Sequence, residues 1–148
     1  MNQLGGYELA DLRVGMSASF AKTITEADIV LFAAVSGDNN ALHINAEYAE
    51  TTIFKTRIAH GMLSASVISA AIANKLPGPG SIYLSQSLRF LAPVRAGDTV
   101  SYTTRVESMR ETKRPQWGLV TNRNIGLNQH GAEVFAFTSI VLWERRPS

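Results

Sequence analysis

The run from Ile58 to Leu76, IAHGMLSASVISAAIANKL, constrains the fold more than any other part of this 148-residue chain. Met62, Leu63, Val67, Ile68, Ile72 and Leu76 are spaced among alanines and serines, and no Lys, Arg, Asp or Glu appears before Lys75. A helix that is apolar or small all round must be buried on most sides. PGPG at 77–80 ends it, because proline removes a backbone donor and clashes with the preceding turn. The period then changes to two: Ile82, Leu84, Gln86, Leu88 and Phe90 alternate with Tyr83, Ser85, Ser87 and Arg89. The pattern predicts an α+β domain in which a strongly curved antiparallel sheet, its successive strands neighbours, wraps around a long central helix. One face and the sheet edges stay uncovered, which calls for a second copy of the chain.

Turn signals divide the remainder. A weak strand at 17–24 leads to Thr25, an N-cap residue with Asp28 in the acidic position of a capping box, and Gly37 is a natural helix stop. Asn45 can cap a short helix ending near Thr52. Pro93 and Gly97-Asp98 precede a strand through Val100, Tyr102, Thr104 and Val106, another begins near Trp117, and a turn at 128–131 precedes the last strand through Val134 and Trp143. No repeat or linker interrupts 1–148, so a single domain is expected.

Composition narrows the chemistry. With no cysteine, thiolate nucleophiles, disulfides and Cys-based zinc sites are excluded. A net charge of +2 calls for no nucleic-acid partner, and no segment approaches ~20 consecutive apolar residues, so no membrane partner and a cytoplasmic setting are expected. Histidines 43, 60 and 130 lack metal-ligand spacing, so no metal site is expected. His60 reads as a capping or packing residue before the helix, and His130 as an exposed turn residue. Met16, Met62 and Met109, like Trp117 and Trp143, read as core or interface residues.

The stretch SGDNNALH at 36–43 sets a carboxylate, Asp38, and an imidazole, His43, on one Gly/Asn-rich connection upstream of the buried helix. Five residues apart, they would lie about 140° apart on a regular helix, so they can meet only across a bend. Gly37, Asn39 and Asn40 make such a bend easy. Two readings stay open on spacing alone: turn punctuation with an unremarkable histidine, or a proton-transfer pair. Gly61, at the helix start, could present its N–H to an oxygen bearing developing negative charge.

SGDNNALH, followed by AEYA, AHGML and LPGPGSIYLSQSLRFLAPVRAGDTV at 76–100, resembles the MaoC-like, (R)-specific enoyl-CoA hydratases of the short single-domain type. The resemblance implies a hotdog fold, a homodimer, an acyl-CoA substrate, and catalysis without metal or redox cofactor. It places catalytic roles on Asp38 and His43, the motif glycine on Gly61, a site-lining hydroxyl on Ser69, and loop support on Asn40. Ala41 stands where the family usually has proline, which removes the restraint that a following proline would place on Asn40. The implied reaction is reversible syn hydration of trans-2-enoyl-CoA to (R)-3-hydroxyacyl-CoA, with crotonyl-CoA as first substrate to test. His43 is assigned as base toward water and Asp38 as its partner, with the reverse order open. Lys113 and Arg114 are candidates for CoA phosphate contacts, with a solvated loop as the alternative. A thioesterase and a non-catalytic acyl-CoA or acyl-carrier-protein binding module are the competing functions; the same fold can serve each.

Overall fold

The computed structural model describes residues 6–8, 10–114 and 116–144. Strand β1, Ser17–Thr23, leads into α1, Glu26–Ser36. The capping box forms as the sequence predicts: the Asp28 N–H donates to Thr25 Oγ1 at 3.1 Å, and the Thr25 N–H donates to Asp28 Oδ2 at 2.8 Å. Gly37 ends α1 with φ 77°, a left-handed conformation that a residue without Cβ adopts at little cost. Asn45 caps α3, Ala46–Thr51, accepting the Tyr48 N–H at 3.0 Å. Between them lies a short turn of helix, α2, Ala41–Ile44, which the sequence reading leaves as open connection. Asn40 nucleates it by accepting the Leu42 N–H at 3.1 Å.

The expected single helix over 58–76 is shorter and broken. Residues 58–60 are not helical, because the Ala59 N–H donates to the Val94 carbonyl at 2.7 Å. Helix α4, Gly61–Ser66, and α5, Ile68–Asn74, meet at Val67. There the Ser66 hydroxyl donates to the Leu63 carbonyl at 2.8 Å and the Ala70 N–H bonds the Val67 carbonyl, a tightened i to i+3 turn that interrupts the regular ladder. Burial is also one-sided: Leu63, Ser64, Ala65, Ile68, Ala71 and Ile72 are buried, whereas Met62, Ser66, Ser69 and Ala73 are exposed.

Strands β2, Ile82–Phe90, β3, Thr99–Glu111, β4, Trp117–Leu127, and β5, Glu133–Glu144, complete a five-stranded antiparallel sheet of order β1-β3-β4-β5-β2. Only β3, β4 and β5 are sequential neighbours. Strand β2 pairs with β5, and the connection to β3 crosses the end of the sheet, held by Leu91 N–H to the Val134 carbonyl and by Gly97 N–H to the Ile24 carbonyl. The main core lies between α4/α5 and the concave face, from Ile24, Ile29 and Leu63 through Ile68 and Ile72 to Val100, Tyr102, Phe135 and Val141. Leu12, Leu76, Val106, Val120 and Trp143 form a second cluster. Strands β3 and β4 alternate buried and partly exposed positions as the period of two requires, but no residue of β2 is buried. Among the described residues, no helix is long and apolar enough to cross a membrane.

Candidate active site

Asp38 and His43 converge because α1 stops at Gly37 and α2 starts at Asn40. Asp38 Oδ1 accepts the Asn40 N–H at 3.2 Å, and Asn40 then caps α2, which swings His43 back toward Asp38. Asn40 sits at φ −54°, ψ 129°, the extended region that a following proline would impose, although Ala41 follows. Its local hydrogen bonds, which include the His43 N–H donating to the Asn40 carbonyl at 2.9 Å, take over that role.

The His43 ring is buried, and its Nδ1 lies 2.8 Å from the Ile58 carbonyl. A carbonyl can only accept, so Nδ1 carries a proton; in the neutral ring Nε2 then holds the lone pair, the form a general base needs. His60, expected to cap or pack, makes no side-chain cap; it is 2% exposed and stacks on His43 with centroids 3.9 Å apart and planes 32° apart. Its Nε2 lies 2.9 Å from the Asp38 carbonyl. Ligand-capable atoms of Asp38, His43 and His60 all lie within 4.8 Å of one another, a grouping that the spacing along the chain does not suggest.

These three residues line a cavity of ≈ 430 Å³, within the range of small-molecule sites, whose walls are mainly apolar: Phe54, Ile58, Phe90, Val94, Val134 and Phe135. Gly61 also lines it, at the first position of α4, where a backbone N–H has no acceptor within the helix. A Cβ on Gly61 would stand 2.8 Å from the Phe90 ring, so the close approach of that ring requires glycine. The aromatic walls and the Ile58 carbonyl are absent from the sequence reading, since both depend on distant segments; His60 had the one local signal, its place directly before Gly61.

The structure does not gather every expected residue here. Ser69 is exposed and lines a neighbouring cleft with Met62, Tyr83 and Gln86, and Met62 borders both spaces. Lys113 and Arg114 lie on the β3–β4 hairpin beside Trp117 and Leu142. Leu142 is seven residues along β5 from Phe135 of the cavity wall, roughly 23 Å at ~3.3 Å per residue. His130 is exposed in its turn, as expected, and Trp143 is in the core.

Residues 12–127 match the MaoC-like domain. The chain belongs to the MaoC-like family. This MaoC-like chain is 59% identical over 104 residues to the (R)-specific enoyl-CoA hydratase of Rhodospirillum rubrum, covering 70% of its own length and 72% of the relative's. It is 44% identical to the 3-hydroxybutyryl-CoA dehydratase of Methylorubrum extorquens over 70% of the chain and 66% of that relative. The solved (R)-hydratase from A. caviae involved in PHA biosynthesis superposes with a TM-score of 0.82 at 40% identity, over 88% of this chain and 96% of that one. The α+β architecture of the MaoC-like chain is the hotdog fold that the resemblance implies.

Proposed function

We propose that the chain is a hydro-lyase that reversibly adds water to trans-2-enoyl-CoA, giving (R)-3-hydroxyacyl-CoA. The observation that carries this reading is the meeting of the Asp38 carboxylate with a His43 whose Nδ1 is already engaged, in an apolar cavity at the start of α4. His43 Nε2 takes a proton from water as the oxygen attacks Cβ, and Asp38 orients that water. The proton taken from water is the one Cα requires, so the pair relays it and ends the cycle in its starting state. The Gly61 N–H faces the thioester oxygen as enolate charge develops; loss of such a donor typically costs about 3 kcal/mol of transition-state stabilisation. Delivery of oxygen and hydrogen from one side gives syn addition. The step is redox-neutral, and the proposal assigns it no cofactor.

Phe54, Phe90 and Phe135 around the cavity, together with the dehydratase relative named for a 3-hydroxybutyryl substrate, support short acyl chains. A homodimer is supported by β2, which is exposed except at the partly buried Leu88 and, among the described residues, has no strand on its outer edge. If two β2 strands pair antiparallel about a two-fold axis, the ends of the two sheets are exchanged. A contact from Lys113 and Arg114 to CoA phosphates would then come from the second copy. Catalytic hydration needs no membrane or nucleic acid, in keeping with a cytoplasmic setting.

Crotonyl-CoA tests the reading: the enoyl absorbance should fall with no release of free thiol, and chiral analysis should give the (R)-alcohol. Asp38→Asn and His43→Gln should each lower kcat by about 10²-fold or more while the protein stays folded. Thiol release without hydroxyacyl product would replace this assignment with thioester hydrolysis. Tight binding with no turnover would make the chain a binding module.

A further inference from the structure

Two segments far apart in sequence are tied together at the cavity by a reciprocal pair of hydrogen bonds. His43, from the 38–43 connection, donates through Nδ1 to the Ile58 carbonyl at 2.8 Å, and His60 reaches back through Nε2 to the Asp38 carbonyl at 2.9 Å. Because the Asp38 carbonyl can only accept, His60 carries its proton on Nε2. Its Nδ1 is buried and has no hydrogen-bond partner among the described residues. The His60 ring is packed between Phe32, with centroids 5.0 Å apart, and His43, at 3.9 Å. One side chain therefore fixes both members of the proposed pair: the peptide of Asp38 by a hydrogen bond and the imidazole of His43 by ring contact.

We infer that His60 is a positioning residue for the hydration step, holding Asp38 and His43 at the separation at which they share one water. The inference rests on the hydratase reading. Asp38 needs such an anchor because it is exposed and, among the described residues, its other hydrogen bonds are local: its N–H donates to Ser36 Oγ at 3.1 Å and its Oδ1 accepts the Asn40 N–H at 3.2 Å. His60 also stands immediately before Gly61, so the same rigid contact sets the distance from the acid-base pair to the helix start. Displacing a reacting group by about 1 Å can cost on the order of 10²-fold in rate, which is the scale of effect expected here.

Two substitutions separate the contributions. His60→Phe keeps a flat ring against Phe32 and His43 but loses the donor; His60→Gln keeps a donor at similar reach and loses the ring. With crotonyl-CoA, His60→Phe should lower kcat on the order of 10²-fold with KM within about twofold, and His60→Gln should recover at least about tenfold of that loss. On an Asp38→Asn background, His60→Phe should add less than about twofold, because a residue acting through Asp38 has little left to position. A kcat for His60→Phe near wild type, no recovery by His60→Gln, or multiplicative losses in the double variant would overturn the inference. Nitrogen-15 NMR of the histidine-labelled wild-type protein supplies a readout that needs neither substrate nor a stable variant. It should show His60 protonated on Nε2 and His43 on Nδ1; the opposite tautomer at His60 overturns the inference even if hydratase activity is present. Absence of crotonyl-CoA hydration by wild type, with the tautomers as stated, would reject the hydratase reading and the catalytic role inferred from it, and would leave His60 only the structural clasp.

Discussion

At the scale of single residues, the concave face of the sheet carries polar groups that a period of two does not announce. Thr104, Asn122, Asn124 and Ser139 are fully buried between the two apolar clusters. Asn124 Nδ2 donates to Ser139 Oγ at 2.8 Å, which satisfies part of this layer. The Tyr102 hydroxyl, also buried, has no hydrogen-bond partner among the described residues. Burial, and then the negative charge of Asp28, push its pKa up. A tyrosine whose folded value is raised contributes stability that is fully present below the unfolded value near 10 and is lost as pH rises through the folded value. Tyr102→Phe removes an unpaired hydroxyl without changing ring volume, so urea unfolding at neutral pH should show unchanged or higher stability, by about 1 kcal/mol. Above pH ~10 the variant should also lose stability less steeply than wild type. Marked destabilisation at neutral pH would mean that the hydroxyl has a partner in solution.

Among the elements, α1 is the one whose boundaries the sequence states most completely, because both ends are set by local chemistry. Asp28 Oδ2 accepts the Thr25 N–H and hydroxyl at 2.8 Å each and pairs with Lys22 at 2.9 Å. These contacts, led by the Thr25 backbone N–H, lower the Asp28 pKa against an opposing desolvation effect. A depressed carboxylate contributes stability above its unfolded value near 3.9 that is lost as pH falls through the folded value. Thr25→Ala should cost about 1 kcal/mol. Asp28→Asn should lower Tm at pH 7, and its deficit against wild type should vanish once the carboxylate is protonated. A deficit that persists undiminished in acid would assign the effect to packing rather than charge. The α4/α5 break shows the opposite case: Ser66 and Ala59 look like ordinary helix residues until the Leu63 and Val94 carbonyls claim their donors.

For the whole molecule, the exposed strand β2 is the feature with the largest consequence. Ile82, Leu84 and Phe90 are 46%, 51% and 52% exposed on an edge that a lone chain leaves open. Sedimentation should therefore give twice the 16.1 kDa chain mass at micromolar concentration, and Leu84→Lys should weaken association at least about tenfold by placing a charge in the buried strip. A wild-type monomer would remove the assignment. An antiparallel sheet around an apolar helix, the caps at Thr25, Gly37 and Asn45, and the closeness of Asp38 and His43 were legible in sequence through hydrophobic period, local turn chemistry and a contiguous motif, while the hotdog fold was implied by the resemblance. The resemblance in SGDNNALH selected between the two readings that spacing left open. Tertiary structure alone decided that β2 crosses to β5, that Ser69 faces a separate cleft, and that His60 reaches the Asp38 carbonyl. The physical reason is the same in each case: those outcomes depend on which distant backbone groups come within hydrogen-bonding distance, and neither the period nor the spacing of residues along a chain encodes that directly.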